Sequence, residues 1–219
     1  MKIKGRKPAA ALIIALVAIV VAVSTAVAWL IISTDYSPER YLSLSNFDAY
    51  AEVYFDNAGK KTPVRDSLGA IEVDLTGTYP DKYIGNQRVD AKYKGLGAFY
   101  LRLKMTQQWT DNTTGKVLQA NAALPYKIGG TPYDIETGGP QDAWFDNRLD
   151  DFCIYYADKI QVANANYITK PIIIEGMDIT AFNAMKPAGA TLKVSFALEA
   201  VQINRYPQFW GIDSLPWLE

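Results

Sequence analysis

Four aspartates crowd one short stretch, DAWFDNRLDDF: Asp142, Asp146, Asp150 and Asp151. Oxygen-rich loops of this kind can hold calcium, and a pair of carboxylates can hydrolyse a glycosidic bond, one as acid and the other as base or nucleophile. The spacing does not follow an EF-hand loop, whose ligands fall at fixed positions around a glycine. Solvated surface loops carry as many acids, and that plainer reading stands beside the chemical ones. The only cysteine, Cys153, follows at once. Thiols react as thiolates, and the adjoining residues supply no dependable means of lowering its pKa. It alternates away from Phe152, Ile154 and Tyr156, as a half-buried strand residue does.

Histidine is absent from all 219 residues. That removes Ser-His-Asp and Cys-His nucleophiles and every His-ligated zinc site. Catalysis is left with paired carboxylates or a lysine, so enzyme activity is disfavoured, and no cofactor is expected. A lone cysteine forms no internal disulfide, so the fold must stand on its core. Lys2, Lys4, Arg6 and Lys7 precede a long uncharged run; setting these four aside leaves 18 basic against 23 acidic residues, a net charge of −5. A mildly acidic chain carries no electrostatic footprint for nucleic acid.

The elements that must position any site are strands. In NFDAYAEVYF (46–55), Phe47, Ala49, Ala51, Val53 and Phe55 share one face, and Asp48, Tyr50, Glu52 and Tyr54 the other. IEVDL (71–75), AFYLRLKM (98–105) and TLKVSFALEAVQI (191–203) alternate in the same way, the period of half-buried strands. Turn chemistry separates them: DNTTGK (111–116), IGGTP, TGGP and KPAGA. Helical periodicity is weak, and only GMDITAFNAMK (176–186) reads as a short turn or helix. With no βαβ alternation, the expected fold is all-β, an antiparallel jelly-roll-like β-sandwich in one domain over 46–219. Tyr50, Tyr54, Tyr100 and Tyr155 fall on the polar faces of their strands. Such rings form a possible glycan-binding face, or simply stabilise the sheet as cross-strand pairs. Asn112-Thr113-Thr114 matches a glycosylation sequon. The ending PQFWGIDSLPWLE brings Trp210 and Trp217 either as a cap or as a contact surface.

From Pro8 to Thr34 there is no charge. Ala9 to Ile32 would span about 36 Å as a helix, enough to cross a hydrocarbon core of about 30 Å. The basic cluster ahead of it would stay inside and place the rest outside. Small residues at Ser24, Thr25, Ala26 and Ala28 suit cleavage after Ala28, making residues 1–28 a signal peptide preceding the sandwich. Trp29 to Ile32 continue the apolar run, as a retained signal anchor would. Both alternatives place the protein outside the cell or on its surface.

A basic leader, a small-residue cut site and the strand LSLSNFDAYAEVYF resemble the TasA/camelysin-like exported proteins of Gram-positive bacteria, which a SipW-type signal peptidase processes. AFYLRLKMTQQW, DDFCIYYADKI and LKVSFALEAVQ followed by FWG are similar to the strands of that family. The resemblance implies a jelly roll and a subunit or accessory of extracellular biofilm-matrix fibres, in which one copy's freed N-terminus completes the sheet of the next. Its zinc-protease members imply an activity that a chain without histidine does not support. Within residues 29–45, cleavage after Ala28 would free Trp29, Leu30, Ile31, Ile32 and Ser33, a run of strand formers suited to adding to a neighbour's sheet edge. Head-to-tail contacts of that kind propagate into filaments. The expected partners are therefore further copies of the chain, the signal peptidase and, before cleavage, the membrane. The alternative is a membrane-anchored surface module that binds glycan or a partner protein through its tyrosine faces; a carboxylate hydrolase comes third.

Overall fold

The computed structural model describes residues 47–118, 123–129 and 143–218, all within one compact unit that begins at Tyr41. The signal or anchor run, its cut site at Ala26 and Ala28, and the segment Trp29 to Ser33 lie outside the described residues. Among those described, no helix is long and apolar enough to cross a membrane.

The fold is all-β and mostly antiparallel. Its strands are β1 (Phe47–Asp56), β2 (Lys60–Lys61), β3 (Ile71–Val73), β4 (Gln87–Asp111), β5 (Val117–Leu118), β6 (Tyr126–Ile128), β7 (Trp144–Asn147), β8 (Cys153–Tyr156), β9 (Ile160–Met177) and β10 (Ala190–Gln202). Two short helices, α1 (Ile179–Met185) and α2 (Tyr206–Trp210), flank β10. The 25-residue strand β4 organises the rest. Along one of its edges β1 pairs with Gln87 to Gly95, then β10 with Phe99 to Asp111. Along the other run β9, β8 and β5 in turn.

The change of partner from β1 to β10 falls where the sequence places Gly95 and Gly97. Both sit at positive φ, +138° and +127°, and the β4–β9 register slips between Tyr93 and Gly95. Glycine reaches such conformations without a Cβ penalty, which is how a long strand redirects itself between neighbours.

Alternation decides the core. Phe47, Val53 and Phe55 from β1 bury with Val89, Ala91 and Tyr93 from the first half of β4. Leu101, Leu103, Met105 and Trp109 from its second half join the same cluster, with Leu192, Val194 and Phe196 from β10. The expected helix forms where Asp178 caps it, accepting from Thr180 N and Ala181 N at 2.9 and 3.0 Å. Its Phe182 stacks on Trp109 with ring centroids 6.0 Å apart. The turn expected at DNTTGK also forms, joining β4 to β5: Asp111 accepts from Thr113 N and Thr114 N, and Gly115 takes φ +68°.

Candidate functional site

Two of the anticipated aspartates, Asp146 and Asp151, are engaged in local pairs. Asp146 is paired with Arg148 at 2.7 Å, and Asp151 accepts from Cys153 N and from the Tyr155 hydroxyl. Asp150 is exposed, and Asp142 lies outside the described residues. Among the described residues no three Cys, Asp or Glu side chains converge as metal ligands. Cys153 is buried, and burial pushes its thiol up to about 12, so it is not a ready nucleophile.

The tyrosines are placed apart. Tyr50 and Tyr54 stand on the outer face of β1, opposite Lys92 and Arg88 on β4. Tyr50 meets Tyr167 edge-on at 5.4 Å, Lys60 lies over Tyr54 at 4.0 Å, and Lys94 over Tyr167 at 4.4 Å. Lys60 and Lys92 both reach Glu52, at 3.0 and 3.4 Å. Tyr100 belongs to the other half of β4, where Tyr206 and Trp217 pack over it at 5.7 and 5.9 Å. Arg102, outward by alternation, is only 9% exposed. It donates to Glu199 at 2.6 Å and to the Tyr155 hydroxyl at 3.3 Å beneath the Trp210 ring.

Some strand backbone also lacks a partner among the described residues. β10 bonds to β4 along its whole length, but on its other edge β3 takes only Leu192 to Val194. Asn112 N donates to Gly189 O and Ile203 N to Ala98 O, so odd-numbered residues of β10 exchange bonds with β4. Bonded pairs alternate in an antiparallel ladder, and Phe196, Leu198 and Ala200 therefore turn their amides and carbonyls outward. On β1, Asn57 N bonds to Gly59 O on the β2 side, and the same alternation turns Ala49, Ala51 and Val53 outward. Among the described residues no strand takes up these groups.

The residues with outward backbone are also those whose side chains face the core. Leu198 and Ala200 on β10, and Ala49 and Ala51 on β1, are half-buried against the main cluster. A strand added to either edge would lay alternate side chains on that apolar surface, because directly paired residues share a face. The stretch Ser195 to Val201 contains no lysine, no proline and no register break, the usual guards of an exposed edge. Its one charge, Glu199, is tied to Arg102. β1 is better guarded, with Asp48 and Glu52 on its outer face. Among the described residues both edges are of the kind to which strands add. From sequence, regular alternation at 191–203 was visible, but which edge stays open depends on β3 ending after three residues.

Comparison with protein-family models, with curated proteins and with solved structures finds no match to this chain.

Proposed function

We propose that the protein is an exported structural subunit whose sheet closes as a jelly-roll sandwich and which assembles into extracellular filaments by strand addition. The open, apolar β10 edge from Ser195 to Val201 carries this reading. The occupant is Trp29 to Ser33 of a second copy, released by cleavage after Ala28. Those five residues are strand formers in one run, and the resemblance of the leader and strands to TasA/camelysin-like proteins gives the same assignment. A role in glycan binding is less favoured, because the rings of Tyr54 and Tyr167 already carry Lys60 and Lys94, and a sugar would have to displace them. The β10 edge asks for no displacement among the described residues.

Two variants test this by electron microscopy of the secreted protein. Deleting residues 29–33 should leave a folded monomer that forms no filaments. Ala200→Pro should do the same, since it removes an outward amide and no bond to β4. Filaments that persist in both variants would overturn the assignment, and a secreted N-terminus other than Trp29 would remove its donor.

A further inference from the structure

The outer face of the second half of β4 is covered by the chain's own end, and the way it is covered is unlike the rest of the fold. Leu215 and Trp217 are buried there with Cys153 and Tyr155 in a small cluster separate from the main core, with Tyr100, Phe145, Tyr206 and Trp210 packed around it. Trp210 meets Tyr155 at 5.7 Å and lies over Arg102 at 4.7 Å; Trp217 meets Tyr155 at 5.5 Å and Tyr100 at 5.9 Å. Within residues 206–218 the backbone bonds are local: Gln208 and Phe209 to Arg205, Gly211 to Pro207, Leu218 to Leu215. Among the described residues, no hydrogen bond or ion pair joins Tyr206–Leu218 to the sheet. Among the described residues, apolar packing of Leu215 and the rings and one cation–π contact hold it. Every strand of the sheet, by contrast, is held by backbone pairing.

We infer that Tyr206–Leu218 is a strap that opens as a unit while the sheet stays folded, uncovering an aromatic cleft formed by Tyr100, Tyr155 and Arg102 with the Cys153 thiol at its floor. Segments that lack ladder bonds open at lower free energy than the sheet they lie on. The hinge is the turn after Gln202, where Arg205 N bonds to Gln202 O at 2.8 Å. This inference is independent of filament assembly, because it concerns the outer face and not the edge of β10.

Cys153 is the only thiol, so its modification reports opening without ambiguity. The test is labelling of the full secreted chain with 5,5′-dithiobis(2-nitrobenzoate), followed across a urea series below the unfolding transition. The native protein should label at a rate that rises with urea far less steeply than global unfolding does, since opening exposes only this small cluster and not the main core. Trp210→Ala should speed labelling without denaturant by about tenfold or more, with Trp210→Phe restoring most of the protection. Phe182→Ala, which weakens the main core under Trp109, should lower the unfolding midpoint and leave the zero-urea labelling rate unchanged. Labelling that rises with urea as steeply as global unfolding, or a Trp210→Ala rate equal to the native one, would overturn the strap.

Discussion

On β1, Tyr50 and Tyr54 point away from the core and stay at the surface among lysines and carboxylates. On β4, Tyr100 points away from the same core and is roofed by Tyr206 and Trp217. Both strands show the same alternation of apolar and polar residues. The difference is made by a segment about a hundred residues later in the chain, which packs aromatic rings over one half of the outer surface; on the other half Tyr50 and Tyr54, also half-buried, meet Tyr167 of β9 and the Lys60 side chain instead. Alternation therefore determines which way a side chain points; what it meets there is decided by distant parts of the sequence.

Three pairs of substitutions, in falling order of effect, probe how separate the two halves are. Both halves feed one core, so a cavity under either should unfold both together. Trp109→Ala, beneath the second half, and Phe55→Ala, beneath the first, should each cost about 3–5 kcal/mol, with one cooperative transition in urea. A biphasic curve in which only one half melts would break the molecule into two folding units. The outer faces should then differ. Tyr100→Ala removes a ring packed against two others and should cost about 2 kcal/mol, while Tyr54→Ala, on the open face, should cost less than about 1 kcal/mol. Equal losses would mean that the strap adds nothing to the half it covers. Charges should follow the same division. Arg102→Ala leaves Glu199 and the Tyr155–Asp151 pair without their cation in a mostly buried site, and should cost about 2 kcal/mol by urea midpoint. Lys94→Ala breaks only an exposed 3.7 Å contact with Asp48 and a cation–π contact, and should cost about 0.5 kcal/mol or less.

The strands at 47–56, 71–73 and 190–202 and the helix capped by Asp178 were legible because each is specified locally, by period-two alternation or by a capping side chain. The backward extension of β4 to Gln87 was harder to see, because its inward positions include Gln87, fully buried and bonded to the Tyr126 hydroxyl, which reads as polar in sequence. β9 was missed as an 18-residue strand because Pro171 and Gly176 interrupt it, and both are tolerated where its pairing is irregular. The open edge of β10 could not be read at all. Edges are defined by what fails to pair, and pairing is long-range: β3 lies about 120 residues before the strand it joins. The covered face had one signal, the two tryptophans near the C-terminus, but nothing local to say which sheet face they would reach.

The smallest expected effect concerns the solvated half alone. Burial works to raise the Glu52 carboxyl, but hydrogen bonds and attraction from Lys60 and Lys92 outweigh it and hold the group below its ordinary value of 4.5. A carboxylate held low in the folded state stabilises the protein above its unfolded pKa, and that contribution disappears as pH falls through the folded one. Burial works to lower Lys60, but its hydrogen bonds to Glu52 and Asp90 raise it, and it stays charged throughout this range. The stability lost on Glu52→Gln should therefore be greatest at neutral pH, shrink below pH 4.5 and vanish further into acid. Because the pair lies at the surface and salt screens it, the full difference should be about 0.3 kcal/mol and should fall further in concentrated salt. Urea midpoints of both proteins at pH 7 and pH 3, each with and without salt, measure it. An equal loss at both pH values would mean that Glu52 contributes packing and not charge. The first half's outer face would then be built like the covered one, and the contrast between them would be one of cover alone.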